Sequence, residues 1–260
     1  MKSLCSVFLM LLGSLASQGQ TTAEVLTKMF KAIDETKEFS FQLTNTERLK
    51  NKTLTGNQFV IINKNTESVY IRFIHPNKGG QVTFQKGKNN DKITYKTPGT
   101  GVSVSLDPLG DLVRKNNHHT IYEIGYTYFQ ELVKHSYKTN PKSFGPVEKI
   151  KHNGEEVYKI VAKNQDYAII EYTVADEKTV VDIAKKLMVD DYKLLELNAE
   201  IKNFNDKLKP GQKLKVPTHY AKEMILYISP NNFLPCYIEV QDEKGLYEKY
   251  EYKDFKVKTA

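Results

Sequence analysis

From residue 24 the apolar positions recur at helical spacing. Val25, Met29 and Ile33 are four apart, Leu26 and Phe30 lie beside them, and Thr21 or Thr22 stands where an N-cap belongs. The period then changes to two. "FSFQLTNTERL", "NQFVIINK", "SVYIRFIHP", "GQVTFQKG", "DKITYKTP" and "GVSVSLDP" alternate apolar and polar residues, with Asn, Gly and Pro turn signals between them. That is the pattern of hairpins following one another along the chain. Segment 121–136, "IYEIGYTYFQELVKHS", returns to helical spacing through Ile121, Ile124, Tyr128, Leu132 and Val133. Strands are expected again at "PVEKIKH", "EEVYKIVAK" and "DYAIIEY", and after residue 220 at "EMILYIS", "PCYIEVQD" and "LYEKYEYKDFKV". No βαβ alternation appears. The expected class is therefore α+β: a curved antiparallel β-sheet, an incomplete barrel, wrapped around helices.

Residues 171–217 break this pattern. Tyr172 to Val174 reads as a short strand. Asp176 or Thr179 opens a helix with Val180, Ile183, Ala184 and Leu187 on one face. Asp190 or Asp191 caps a second helix carrying Leu194, Leu195 and Leu197, and "DKLKPGQKLKVP" closes the segment as a lysine-alternating strand behind a Pro210-Gly211 turn. The blocks "YTV", "TVVDIAKKL", "VDDYKLLELN" and "LKPGQKLKVP" resemble, in order and spacing, a LysM domain. The resemblance implies an inserted βααβ module that binds N-acetylglucosamine-containing glycan such as peptidoglycan. It puts the sugar groove between two loops, Asp176, Glu177, Lys178, Thr179 and Val180 on one side and Asn198, Ala199, Glu200 and Ile201 on the other. The family's Gly-Asp-Thr is Glu177-Lys178-Thr179 here, and its Asn-Pro is Asn198-Ala199. Such a module has adjacent ends, so it can sit in a hairpin loop, expected here between "DYAIIEY" and "EMILYIS".

The flanking chain is similar to the LolA/LolB-like superfamily of periplasmic lipoprotein carriers, within a bacterial subfamily of unknown function. The opening helix, "FQLTNTERL", "SLDP" before "IYEIGYTYFQELV", and the ending "LPCYIEVQDEKGLYEKYEYKDFKV" carry this likeness. It implies a half-barrel whose apolar cavity accepts acyl chains. Aromatics such as Phe59, Tyr70, Phe73, Phe84 and Tyr95 read as core. The expected organisation is a signal peptide at 1–19, a discontinuous LolA-like domain at 20–170 plus 221–260, and the LysM domain at 171–218.

Residues 1–19 carry Lys2, an apolar run from Leu4 to Leu12 and then small residues, a secretory signal too short to span a bilayer. The expected location is the periplasm, with no transmembrane segment. Behind the signal only Cys236 remains, in a strand pattern, so no intrachain disulfide is expected and the thiol reads as a packed hydrophobe. The net charge of +7 comes almost wholly from lysine, a solvated basic surface suited to anionic envelope material and not to nucleic acid. His118-His119 lacks metal-ligand spacing and reads as a solvated loop. Glu155-Glu156 and Asp190-Asp191 are neighbours in sequence, poor acid/base pairs, and no nucleophile elbow, phosphate loop or dinucleotide fingerprint occurs. No catalytic residue, metal or cofactor is assigned. The function expected is a non-enzymatic envelope protein, the LysM module holding peptidoglycan or a related glycan and the half-barrel holding a lipid, a lipoprotein acyl chain or a protein. The alternative is a structural or interaction protein whose degenerate LysM module makes protein contacts. A cell-wall hydrolase is the third reading.

Overall fold

The structure is a computed structural model that describes residues 20–50 and 52–259. The signal-peptide reading of residues 1–19 lies outside the described residues. Helix α1 (Thr22–Glu35) starts on a reciprocal capping box, Thr21 Oγ1 accepting from the Glu24 amide and the Glu24 carboxylate from the Thr21 amide. Its apolar face of Val25, Leu26, Met29 and Ile33 is buried.

Two long strands, β1 (Thr36–Leu49) and β13 (Gly245–Thr259), pair antiparallel at the centre of the large sheet. On one side follow β2 (Lys52–Asn63), β3 (Ser68–His75), β4 (Gln81–Gln85), β5 (Ile93–Lys96) and β6 (Ser103–Leu106) as consecutive hairpins. On the other follow β12 (Pro235–Asp242), β11 (Glu223–Ile228), β8 (Glu155–Lys163) and β7 (Glu148–His152). The order β6-β5-β4-β3-β2-β1-β13-β12-β11-β8-β7 leaves β6 and β7 as free edges, so the sheet curves without closing. This is the α+β class expected.

A four-residue helix, α2 (Asp111–Arg114), and helix α3 (Tyr126–Thr139) follow the sixth strand. Apolar side chains of α1 and α3 join those of the sheet, Phe39, Phe41, Val60, Ile160 and Val240 among them, in one core. The helical spacing seen from residue 121 is helix only from Tyr126. Gly125 stops it: its φ is +96°, and a Cβ there would meet Ile62 Cδ1 at 2.4 Å. Ile121 and Ile124 still turn inward, so the apolar spacing is kept while the backbone runs in turns.

The remaining elements form a βααβ unit: β9 (Ile169–Thr173), α4 (Val180–Leu187), α5 (Asp191–Leu197) and β10 (Lys213–Pro217). β9 pairs antiparallel with β10, Thr173 opposite Lys213 and Ile169 opposite Pro217. The unit has its own apolar cluster, including Val174, Val180, Ile183, Leu194, Leu214 and Val216. The expected pairing of "DYAIIEY" with "EMILYIS" is not found. β11 pairs instead with β8, Lys163 opposite Glu223 and Tyr158 opposite Ile228. The reason lies in the faces: Tyr158, Ile160 and Ala162 give β8 a buried side, whereas Ile170 on β9 is 47% exposed.

Candidate functional site

A cavity of about 340 Å³ opens on the concave face of β1–β6, beneath the segment that leads from β6 through α2 to α3. Leu43, Ile71, Ile93, Ile121, Phe129 and Tyr252 are among its apolar walls. Two of the aromatics expected in the core, Phe73 and Tyr95, line it as well, their rings 6.4 Å apart. Leu112 on α2 also lines it and is 82% exposed, which places the opening beside α2.

The alternation of β1 builds the cavity's polar end. Leu43, Asn45 and Glu47 follow one another on the concave face, and Asn45 stands opposite Tyr250 and Leu43 opposite Tyr252 on β13. Glu47 is buried, one oxygen accepting from Tyr250 (3.1 Å) and Asn45 (3.2 Å), the other from the His118 amide (2.9 Å). Behind it lies Glu248, fully buried, which accepts from Tyr220 (2.6 Å), His118 Nδ1 (2.9 Å) and His119 Nε2 (3.1 Å) and shares the single Tyr250 hydroxyl hydrogen with Glu47, 3.1 Å from each.

His118 faces an acceptor on both nitrogens, Glu248 on Nδ1 and the Arg48 carbonyl on Nε2 at 2.9 Å, so both nitrogens carry protons. Burial would lower its pKa. The Glu248 hydrogen bond and the charges of Glu47, Asp190 and Glu248 outweigh burial and raise it to about 9. For His119 burial is again opposed, chiefly by Glu248, and the pKa rises to about 10. Burial pushes Glu248 the other way, and the two imidazoliums overcome it, leaving the carboxyl well below its usual range. Two histidines expected in a solvated loop are thus buried cations, because the loop folds back onto two carboxylates of the central strands.

The same centre joins the sheet to the βααβ unit. Tyr247 stacks on the His118 ring (4.3 Å between centroids) and donates to Asp190, the N-cap of α5, at 2.7 Å. Arg114 on α2 forks onto Asp191 at 2.7 and 2.9 Å, donates to the His118 carbonyl at 2.8 Å and lies 3.6 Å from the Phe204 ring centroid. Lys193 donates to Asp242 (2.6 Å) and Glu243 (2.7 Å), and Arg48 also pairs with Asp242. Burial would raise the Asp242 pKa, but these two cations lower it. Leu49, at the end of β1, packs in the unit's own apolar cluster. Asp190 and Asp191 therefore do more than cap a helix.

Of the residues assigned to the sugar groove, Asp176, Lys178, Ala199 and Glu200 are exposed, Thr179 is half-buried, and Glu177, Val180, Asn198 and Ile201 are buried. Val180 and Ile201 share the unit's core. Thr179 caps α4, exchanging hydrogen bonds with Asp182. Glu177 accepts from Tyr172 (2.6 Å), the Ala175 amide (2.9 Å) and Lys186, which together hold its pKa at about 2. Asn198 spends its amide inside the unit, donating to the Leu194 (2.7 Å) and Lys215 (2.9 Å) carbonyls and accepting from the Lys215 amide (2.8 Å). Cys236 is half-buried, its thiol pushed up to about 11 by burial.

Among the described residues no group of three or more His, Cys, Asp or Glu is placed to hold a metal ion, and no helix is long and apolar enough to cross a membrane. Sequence reasoning missed Glu47 and Glu248. A signal was present: each carboxylate continues a period-two run that is otherwise inward-facing, after Phe41 and Leu43 on one strand and before Tyr250 and Tyr252 on the other.

A family model described as "Protein of unknown function (DUF1571)" matches residues 36–260 and spans the βααβ unit as well as the sheet. No curated protein matches the chain. Among solved structures, the Mycobacterium tuberculosis lipoprotein LppX is similar at 10% identity and a TM-score of 0.40, over 92% of this chain and 100% of that one. A LolA superfamily protein from Nitrosomonas europaea matches at 10% identity and 0.34, over 93% and 96%. A putative outer membrane lipoprotein-sorting protein domain from Vibrio parahaemolyticus matches at 8% identity and 0.34, over 90% and 92%.

Proposed function

The chain belongs to the DUF1571 family, and we propose that it is a non-enzymatic envelope protein that carries a single apolar chain in the cavity under α2 and α3. The observation that carries this reading is the cavity itself, walled by aliphatic and aromatic side chains and open beside the exposed Leu112. Its 340 Å³ lies at the small end of the range of ligand pockets, which suits one medium-length chain. Burying ten methylenes at about 0.8 kcal/mol each is worth about 8 kcal/mol before ordering costs, which sets a micromolar ceiling on affinity. The sequence likeness to lipoprotein carriers supports the same reading, and with it a periplasmic location. Calorimetric titration of the delipidated protein with monolauroylglycerol tests it. One site per protein is expected, lost when Leu43→Trp fills the cavity; binding that survives this substitution in a folded protein would refute the site.

The βααβ unit supports a second contact. Its element order and paired end strands fit the LysM likeness, and we assign contact with N-acetylglucosamine-containing glycan to the exposed Asp176, Lys178, Ala199 and Glu200. A weak sugar contact would keep the cavity near the wall by raising its local concentration. Sedimentation with purified peptidoglycan is the check, with salt raised in the washes because a protein of charge +7 adheres to anionic polymer unspecifically. Retention in salt that yields to free chito-oligomers supports the assignment. Release by salt alone removes it and leaves the unit as a protein-contact module.

A further inference from the structure

The cavity's polar end has a one-sided chemistry. Its polar lining includes the carboxylates of Glu47 and Glu123 and the amides of Asn45, Gln58, Asn77 and Asn117. Among the described residues no lysine or arginine lines it. The one basic side chain there is His119, whose Nε2 is spent on Glu248 at 3.1 Å. Its Nδ1 lies 4.0 Å from Glu123, so the imidazolium is flanked by a carboxylate on each side. Glu47 is 4% exposed and held by three protein donors, so it stands as a fixed acceptor group in a poorly hydrated corner.

Resting on the chain-binding reading above, we infer that the cavity selects amphiphiles whose head group is neutral or cationic and donates hydrogen bonds, and rejects carboxylate and phosphate heads. A hydroxyl, amide or ammonium head can donate to the carboxylates and share the amides. A carboxylate or phosphate head would be desolvated beside two carboxylates, and the one cation in the lining, His119, already lies between Glu248 and Glu123; that repulsion supplies the discrimination. The selection runs against the sign of the whole molecule. A surface of +7 draws anions toward the protein, so a preference for neutral or cationic heads has to arise inside the cavity.

The test is a calorimetric series on the mature protein at pH 7 with four dodecyl amphiphiles below their micellar concentrations: monolauroylglycerol, dodecylamine, laurate and dodecyl phosphate. Salt of about 0.3 M suppresses attraction to the outer surface. The glycerol and amine heads are expected to bind at least tenfold tighter than the two anions. Glu47→Gln should narrow that gap, and Asn45→Asp, which adds a carboxylate at the same end, should widen it. Anions that bind as tightly as the others overturn the inference while the chain-binding reading stands. A gap that neither variant moves, both being folded by circular dichroism, overturns it too. Failure of all four amphiphiles falls on the chain-binding reading and takes this inference with it.

Discussion

Arg114 and Asp191 meet as a two-pronged ion pair, 2.7 and 2.9 Å, across the junction between the cavity's roof and the βααβ unit. Arg114 is 1% exposed and Asp191's side chain 11%. Removing one partner strands the other's charge in a desolvated seam. Arg114→Ala should therefore cost about 3 kcal/mol in urea unfolding, and Arg114→Lys should recover only a minor part, since a lysine cannot fork onto both oxygens. A loss under about 1 kcal/mol would mean the seam is wetter than this packing implies.

Glu248 and its histidines predict a particular pH profile. The folded-state pKa values of His118 and His119 are raised, to about 9 and about 10, so their contribution is complete below the unfolded value near 6.5 and is lost as pH climbs through the folded values. Glu248 is shifted downward, so its contribution is present above the unfolded value near 4.5 and is lost as pH falls toward its folded value. Stability should be greatest between about pH 4.5 and 6.5, where all three contributions are complete, and should fall steadily from about pH 6.5, by several kcal/mol at pH 10. In Glu248→Gln the alkaline loss should shrink, because the histidines lose the partner that raised them. Urea melts at pH 7, 9 and 10 would show it; equal alkaline slopes in both proteins would not fit.

Gly125 marks the start of α3 with a backbone that a side chain cannot share. Gly125→Ala should cost about 2–3 kcal/mol, from strain at φ +96° and from the contact with Ile62. A thermal melt reads it directly. An unchanged melting temperature would show that Ile62 swings away freely.

Asn198 separates a fold role from a sugar role. Asn198→Ala strands the Lys215 carbonyl and amide, while the Leu194 carbonyl keeps the residue 198 backbone amide, and should lower stability by about 2 kcal/mol. Lys178→Ala and Glu200→Ala, on exposed positions, should leave stability within about 0.5 kcal/mol. Only the exposed pair can then report on glycan retention without confusing it with unfolding.

Much of the fold was legible in the sequence because hairpins that follow one another need only local signals. The period-two runs, Thr21 as an N-cap and the Pro210-Gly211 turn all appear where they were read. What failed depended on distance. The pairing of β8 with β11 bridges the whole βααβ unit, and nothing within "DYAIIEY" says that its partner is β10. The histidines failed for a related reason: burial of His118 is decided by Glu47 and Glu248, 71 and 130 residues away. Lining residues of the cavity were visible as inward positions, but whether inward positions meet a neighbour or enclose space depends on how the roof passes over them, and periodicity carries no information on that.

The most direct test of the central claim is native mass spectrometry of the protein isolated gently from the cells that make it, before any delipidation. The account predicts a population carrying one bound amphiphile of medium chain length, displaced by monolauroylglycerol and absent from Leu43→Trp. A protein that flies only at its bare mass, and takes up no monolauroylglycerol when offered it, would contradict the account at its root.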